Sequence, residues 1–399
     1  MSKYGNNDRD DPVPEERSSR FRPPLIAWLS VLFFAACTKM SPEDGVARYD
    51  GTLVRLTVSL PQPALPTRSA GAGDLSGDAE NRIEDVMILV LEQENGKYVY
   101  RYMTEGERLE STGSGAQFQA KLLSTKLMLA GNYGDAFAAY APSPGRSESE
   151  VKAGIGCSFT GAARSLPMYG EIAVPSGLEA DRENRFSVKM LRAVARIDVE
   201  KDLTADSRSL RIESVRLYRP NDKIQLAPDE FFAPESPRVT APSVFAGAVK
   251  SQSPVVTETS EPDPVSVAGI YVPEADEVAD AAARLTDATC VVVGGYYDGQ
   301  SQPTYYRVDF DPGLEGHPFG QILRNHRYVF RIRKVTGPGW SDPGLAAVNK
   351  ATSIVAEIEP WEDFTTEMHF EGDNYIGLSS RSVTLGYPAG KADTVDVQA

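Results

Sequence analysis

The sequence has few of the residues from which metal sites are usually built. It holds three cysteines and three histidines among 399 residues. His317, His326 and His369 stand apart, no HExxH motif occurs, and no two cysteines are spaced as CxxC. Zinc sites normally depend on such motifs, and no GxSxG nucleophile motif follows a predicted strand. We therefore expect no metal, no cofactor and no enzymatic activity.

Positive charge is also scarce. The chain carries 41 Lys and Arg against 56 Asp and Glu, which gives a formal net charge of −15. Nucleic-acid binding requires a basic surface that neutralises phosphates. We therefore expect no nucleic-acid partner.

Long hydrophobic runs are absent, since the longest apolar run covers only 12 residues, 25–36. A membrane-spanning helix needs about 20 such residues. Arg17, Arg20 and Arg22 precede the run and Cys37 follows it, which is the layout of a secretory signal peptide. Residues 34–37 (FAAC) resemble a bacterial lipobox, which implies acylation of Cys37, anchoring in the outer membrane by acyl chains, and a signal peptide over residues 1–37. The alternative is a buried strand with an incidental cysteine.

The two remaining cysteines, Cys157 and Cys290, lie far apart in the sequence. A disulfide is permitted in an exported protein. Two unpaired, buried thiols are the expected arrangement.

Alternating apolar residues predict a strand at residues 53–60. Val54, Leu56, Val58 and Leu60 share one face, and polar residues occupy the other. Residues 67–81 are small, polar and rich in glycine, so we expect an exposed segment that is open to proteases.

Further strand and turn patterns indicate an all-β fold of two β-sandwiches with few short helices. Asn95-Gly96 and Asp298-Gly299 each separate two β-prone runs and predict hairpins. A helix is predicted near 147–153, residues 219–268 are expected to be mostly irregular, and no internal repeat is visible. The other predicted strands cover residues 86–91, 98–102, 121–129, 168–174, 186–199, 209–218, 290–294, 305–310, 328–335 and 353–358.

Four stretches in this order resemble the fimbrillin family of Bacteroidetes, the subunits of type V pili. They are the lipobox ending at Cys37, the strand at 53–60 followed by Thr67-Arg68-Ser69-Ala70, residues 191–197 (LRAVARI), and residues 323–328 (LRNHRY) leading to Gly337-Pro338-Gly339.

The resemblance implies two transthyretin-like sandwiches, at 69–195 and 196–370, and a propeptide at 38–68 whose strand 53–60 is displaceable. An Arg-specific protease would cut between Arg68 and Ser69, with Arg48 and Arg55 as competing sites. Release of the strand would expose unpaired backbone and an apolar slot. A strand from another fimbrial subunit would fill it and so build an adhesive filament at the cell surface.

Residues 371–399 are open to two interpretations. As a donor appendage, they would place residues of two alternating segments in a neighbour's slot: Val383, Leu385, Val395 and Val397. As the first hairpin of a further β domain, they would belong to a longer parent protein.

A different functional class also stays open, namely a surface-anchored lipoprotein that binds glycans or proteins, including a tip or anchor subunit that meets host or bacterial receptors. In that case the chain would keep its lipidated start at Cys37. Tyr296 and Tyr297 would then be candidates for a sugar-binding platform.

Overall fold

The computed structural model describes residues 52–59, 82–112, 115–122, 125–159, 161, 165–174, 177–178, 184–202, 209–231, 237–259, 264–313, 317–361, 369–371, 374–378 and 397–398. The strands are β1 (Thr52–Ser59), β2 (Val86–Glu94), β3 (Lys97–Glu105), β4 (Glu107–Thr112), β5 (Gly115–Leu122), β6 (Lys126–Gly131), β7 (Gly156–Ser158), β8 (Met168–Ala173), β9 (Asn184–Lys189), β10 (Leu191–Arg192), β11 (Ala195–Lys201), β12 (Leu210–Tyr218), β13 (Lys223–Gln225), β14 (Val255–Glu258), β15 (Ser266–Val272), β16 (Cys290–Tyr297), β17 (Thr304–Asp309), β18 (Arg327–Val335), β19 (Ile354–Trp361), β20 (His369–Glu371), β21 (Asn374–Leu378) and β22 (Val397–Gln398). The helices are α1 (Ala136–Ala139), α2 (Glu148–Gly154), α3 (Arg284–Asp287) and α4 (Pro343–Val348). None of the helices in these ranges is long and apolar enough to span a membrane.

Four of the sheets form two sandwiches. The first sandwich pairs the sheet β4-β5-β1-β9 with the sheet β10-β8-β6-β2-β3, and the second pairs β15-β11-β18-β19 with β14-β12-β16-β17. Each sandwich has its own core of fully buried aliphatic and aromatic side chains, such as Leu89 and Met128 in the first and Val293 and Phe330 in the second. The predicted all-β class with few short helices is confirmed, whereas the predicted domain boundaries stay predictions.

The two sandwiches share one strand topology. In each, the first strand lies between an antiparallel and a parallel neighbour: β1 between β5 and β9, and β11 between β15 and β18. The opposite sheets also follow the same antiparallel order. The equivalent pairs are β1 and β11, β2 and β12, β3 and β14, β5 and β15, β6 and β16, β8 and β17, and β9 and β18. The structure therefore contains a duplication that no repeat in the sequence indicated.

The two predicted hairpins are confirmed by their turns. Asn95 and Gly96 join β2 to β3 with φ values of 49° and 79°, and Asp298 and Gly299 follow β16 with φ values of 46° and 72°. β2 and β3 meet at a two-residue turn, which needs positive φ at both positions because its twist must match that of the flanking strands. β16 and β17 are joined by the longer loop 298–303, which begins with Asp298-Gly299. Glycine reaches this region without a Cβ clash, and asparagine or aspartate tolerates it.

Two predicted strands are wrong in extent. Residues 121–129 divide between β5 and β6, and residues 186–199 divide among β9, β10 and β11, with neighbouring pieces in different sheets. Met190, Ala193 and Val194 stay buried where the chain leaves one strand for the next. Within 186–199 the changes of sheet therefore leave no polar residue that would mark the breaks. Residues 219–268, predicted to be mostly irregular, also contain β13, β14 and the start of β15.

The predicted helix near 147–153 is confirmed as α2. Ser147 forms a capping box with Glu150, in which each side chain bonds the other residue's backbone. Both Cys157 and Cys290 are buried and unpaired, as expected from the sequence.

Candidate functional site

The strand that the sequence singled out is an internal strand of the first sandwich. β1 pairs antiparallel with β5, from Thr52 opposite Leu122 to Ser59 opposite Gly115. On its other side it pairs in parallel with β9, from Val54 opposite Asn184 to Ser59 opposite Lys189. We call the space between β5 and β9 the β1 slot. Removing β1 would leave unpaired backbone groups on both walls of this slot.

The register of β9 agrees with the predicted apolar face of β1. Leu56 pairs with Phe186, which packs against the first core, and Val58 pairs with Val188, which is buried. Arg185 and Ser187, which alternate with these two residues along β9, are exposed. Paired residues of neighbouring strands lie on the same face of a sheet. The apolar alternation read from the sequence is therefore in phase with the buried residues of β9.

The equivalent strand of the second sandwich shows what this position contributes to a core. Ala195, Ile197 and Val199 of β11 are each 0% exposed. β11 is held in the chain through Ala193 and Val194, both of which pack in the first core. The internal first strand of the second sandwich, β11, therefore follows directly in the chain from residues of the first core.

Most of the other predicted site residues lie outside the described residues. These are the lipidation site Cys37, the last apolar residue Leu60, the cleavage pair Arg68 and Ser69, and the donor candidates Val383, Leu385 and Val395. The fourth donor candidate, Val397, lies in β22, where it pairs with Leu378 of β21 in the same chain.

The LRAVARI and LRNHRY stretches meet at the junction of the two cores. The backbone N–H of Asn325 donates to the carbonyl of Val194 at 2.9 Å, and the backbone N–H of Arg196 donates to the carbonyl of His326 at 2.8 Å. The Arg192 guanidinium donates to Asn325 Oδ1 at 3.2 Å. Asn325 takes a positive φ of 56° in making these contacts. The motif residues therefore connect the sandwiches.

Arg324 makes the most buried ionic contact at this junction. Its guanidinium donates to Glu274 Oε2 at 2.6 Å and to the backbone carbonyls of Leu226 at 2.7 Å and Gln225 at 2.8 Å. The side chains of Arg324 and Glu274 are 0% and 2% exposed. The sequence carried no sign of this pair, because Arg324 is followed by the polar residues Asn325 and His326.

The Gly337-Pro338-Gly339 stretch covers one end of β17. A Cβ on Gly339 would lie 2.3 Å from the carbonyl oxygen of Tyr305, so only glycine fits. The Tyr306 hydroxyl donates to the Gly337 carbonyl at 2.9 Å. Among the described residues, the role of the Gly337-Pro338-Gly339 stretch is therefore packing.

A second buried charge cluster fixes α2 on the first sandwich. Lys126 of β6 and Lys152 of α2 each contact both Glu148 and Glu171 at 2.8–3.0 Å. Burial lowers the pKa of the Lys126 ammonium group, but Glu171 and Glu148 outweigh this effect and leave its pKa above the ordinary value. Because every charge in this cluster faces an opposite one, its role is structural.

Both tyrosines considered as a sugar platform are half-buried on the second sandwich, and Tyr297 packs against its core. The Arg211 guanidinium lies 4.4 Å from the centre of the Tyr296 ring, and the Tyr296 hydroxyl donates to Glu213 Oε1 at 3.3 Å. An aromatic ring beside an arginine and a carboxylate offers stacking and hydrogen bonds on one surface. In the described part of the chain, no three His, Cys, Asp or Glu side chains are placed to bind a metal ion together.

No protein-family model and no curated protein sequence matches the chain. Among solved structures, it is similar to the tip fimbrial protein Mfa3 of Porphyromonas gingivalis (15% identity, 77% of this chain and 100% of that chain, TM-score 0.45). It is also similar to a proposed cell adhesion protein of Parabacteroides distasonis (14% identity, 80% and 99%, TM-score 0.47). A third is a proposed polysaccharide-binding protein of Bacteroides thetaiotaomicron (10% identity, 71% and 92%, TM-score 0.35).

Proposed function

We propose that this chain is a structural subunit of bacterial fimbriae that joins other subunits by strand exchange at the β1 slot, with a binding role and no catalytic one. The observation that carries the proposal is the internal position of β1, which pairs with both β5 and β9. β1 is joined to β2 only through residues 60–85, in which the predicted cleavage site Arg68 lies.

Cleavage would act by changing the effective concentration of β1. While β1 is tethered to its own sandwich, its covalent attachment keeps it at roughly millimolar effective concentration, and an external strand cannot compete. Burial of Val54, Leu56 and Val58 would contribute roughly 5–9 kcal/mol to retention of the strand. After a cut by an Arg-specific protease, β1 can diffuse away, and a strand presented by a neighbouring subunit can take its place.

This order of events suits an exported protein. Acylation at Cys37 would hold the precursor at the outer membrane, and cleavage after Arg68 would release it from the anchor at the step that opens the slot. Because the donor strand and the slot are different surfaces, each subunit accepts a strand from one neighbour and donates a strand to the next. The assembly is therefore an open filament, which supports adhesion to host or bacterial receptors.

The test is Arg68→Ala in cells that assemble the filament. We expect a folded, exported precursor and no filaments. Arg82→Ala is the matched control, because Arg82 is an exposed arginine just before β2. Mass spectrometry of native filaments should find Ser69 at the N-terminus. Normal filaments from Arg68→Ala, or filament subunits that begin at Cys37, would contradict the proposal.

A second test addresses the strand itself. Leu56→Asp places a charge on the predicted apolar face of β1, whereas Thr57→Asp is the control on the alternate face. We expect Leu56→Asp to lower the free energy of unfolding of the precursor by about 3 kcal/mol or more, whereas Thr57→Asp should have little effect. Equal effects of the two substitutions on the precursor would exclude the displaceable-strand mechanism.

The second candidate function is a lipidated surface protein that binds glycans, and the grouping of Arg211, Glu213 and Tyr296 favours it. In this case the mature protein begins at the acylated Cys37 and binds sugars. Tyr296→Ala should abolish binding on a glycan array, while Tyr98→Ala, in the first sandwich, should preserve it. A wild-type chain that binds no glycan removes this candidate.

A further inference from the structure

The outer face of the sheet β14-β12-β16-β17 carries two arginines that contact tyrosine rings. The guanidinium of Arg211 lies 4.4 Å from the centre of the Tyr296 ring, and that of Arg216 lies 5.2 Å from the centre of the Tyr305 ring. Gly294 pairs with Tyr305 and lies two residues before Tyr296 in β16. Paired residues share a face, and so do alternate residues of one strand. The two arginine–tyrosine contacts are therefore neighbours on one surface.

Gly294 provides the space in which Arg216 and Tyr305 meet. A Cβ on Gly294 would lie 2.7 Å from Ser214 Oγ and 2.8 Å from Tyr305 Cε1, so the tyrosine ring extends over β16 towards β12. The Arg216 guanidinium donates to Ser214 Oγ at the same place. The missing side chain at residue 294 thus lets a charge and an aromatic ring come together across a strand.

Arg216 keeps donors that a ligand can reach. Beyond its bond to Ser214 and its contact with Tyr305, its guanidinium makes no hydrogen bond and no ion pair in the part of the chain that the structure describes. Arg216 is half-buried. Among the described side chains that are not exposed, Asp85 Oδ1 is the polar atom that lacks both solvent access and a hydrogen-bond partner. The Nε and Nη2 donors of Arg216 are therefore open to solvent.

Aromatic side chains with open hydroxyls lie beside Arg216. Tyr218, two residues along β12, and Tyr305 are both half-buried, and neither hydroxyl has a hydrogen-bond partner among the described residues. Trp340 is adjacent, because its backbone exchanges two hydrogen bonds with that of Tyr305, at 2.8 and 2.9 Å. We call the group of Arg216, Tyr218, Tyr305 and Trp340 the Arg216 surface. Aromatic rings with free hydroxyls suit a sugar, which offers apolar ring faces and hydroxyl groups together.

The carboxylates on this face leave the charge of Arg216 unmatched. Glu258 of β14 lies on one side of β12, whereas the Arg216 guanidinium extends to the other side, towards β17. Glu213 accepts from the hydroxyl of Tyr296, and Asp342 caps the first turn of α4. A ligand carboxylate would form charge-assisted hydrogen bonds with the open donors of Arg216, and such bonds are stronger than neutral ones.

We propose that the Arg216 surface binds an acidic sugar, in which a carboxylate on the pyranose ring accepts hydrogen bonds from Arg216 and the ring packs on Tyr305 and Trp340. This role rests on the second candidate function, glycan binding on the face that carries Tyr296, and assigns its ligand class and a further contact residue. The same chemistry occurs in hexuronic acids and in nonulosonic acids such as N-acetylneuraminic acid.

NMR titration of the purified chain tests the ligand class. The methyl glycosides of glucuronic acid and of N-acetylneuraminic acid are compared with methyl glucoside and with acetate. One of the acidic sugars should bind at least roughly tenfold more tightly than methyl glucoside or acetate, and its identity assigns the source. Methyl glucoside or acetate binding as tightly as the acidic sugars would overturn the acidic class; with methyl glucoside, glycan binding itself would stand. No binding of any of the three sugars would remove both.

Arg216→Gln removes the charge and keeps a polar side chain. We expect this variant to bind the acidic sugar no more tightly than methyl glucoside, whereas Arg216→Lys, which retains the charge, should keep a preference for the acidic sugar. Arg333→Gln, on the other sheet of the second sandwich and 34% exposed, is the control and should bind like the wild type. Circular dichroism would establish that the variants fold. Unchanged affinity for the acidic sugar in Arg216→Gln, or an equal loss in Arg333→Gln, would overturn the proposal.

Discussion

Glu274→Gln removes the negative charge opposite Arg324 and keeps the size of the side chain. The wild-type carboxylate accepts from Arg324 Nε at 2.9 Å and Nη2 at 2.6 Å, and from the backbone N–H of Ser243 at 3.0 Å. Breaking a buried ion pair from one side costs about 3–5 kcal/mol because the other charge stays buried without a counter-ion. The amide oxygen of glutamine can still accept one hydrogen bond. We therefore expect the free energy of unfolding to fall by about 3 kcal/mol, near the lower end of this range.

Urea unfolding followed by circular dichroism would measure this loss. With a slope of roughly 3 kcal/mol per molar urea for a chain of this size, the midpoint should fall by about 1 M. Glu357→Gln is the matched control, since Glu357 pairs with Arg333 and the two side chains are 57% and 34% exposed. Exposed pairs contribute about 0–1 kcal/mol, so the control midpoint should move by less than about 0.3 M.

The double variant Glu274→Met with Arg324→Met separates charge from packing. Replacing both partners by apolar side chains removes the unpaired charge, and the double variant should therefore be more stable than Glu274→Gln alone. A midpoint for Glu274→Gln equal to that of Glu357→Gln would refute the view that the buried Arg324–Glu274 pair stabilises the fold at the junction.

The remaining predictions concern local features. Burial raises the pKa of Cys157 to about 12 and also raises that of Cys290, so neither thiol should react with a disulfide reagent at pH 8 until urea unfolds the chain. Gly96→Ala should lower the free energy of unfolding by about 1–2 kcal/mol, because Gly96 has a φ of 79°; a neutral result in urea unfolding would show that the turn relaxes. Ser147→Ala should cost about 0.5–2 kcal/mol through loss of the α2 cap, measured as a lower thermal midpoint, and an unchanged midpoint would contradict this.

Features that depend on neighbouring residues were predictable from the sequence. The alternation of Val54, Leu56 and Val58 identified β1, and Asn95-Gly96 identified the first hairpin, because side-chain period and turn geometry are local properties. The pairing of β1 with β9 was not predictable. It joins residues far apart in the chain, and apolar alternation specifies a buried face without specifying which strand lies beside it.

The junction illustrates a different limit. Arg192 and Arg324 lie in stretches that the sequence analysis singled out, but only through resemblance. For Arg192 the physical signal was its apolar neighbours, because an arginine is seldom fully buried unless it is paired. Arg324, which is followed by Asn325 and His326, carried no such signal. Its acceptors, Glu274 and the carbonyls of Gln225 and Leu226, come from segments that carry no pattern of their own. The duplicated topology was equally hidden, since alternating aliphatic strands are common to all sandwiches.

The parallel pairing in the second sandwich determines where the chain leaves it. Arg196 of β11 is in register with Arg327 of β18, which is in register with Trp361 of β19. Adjacent strands are separated by about 4.8 Å, so the backbone at Trp361 lies about 10 Å from the point at which the chain enters this sandwich. Any segment that follows Trp361 therefore starts about 10 Å from the point at which the chain enters the sandwich, and its reach must be measured from there.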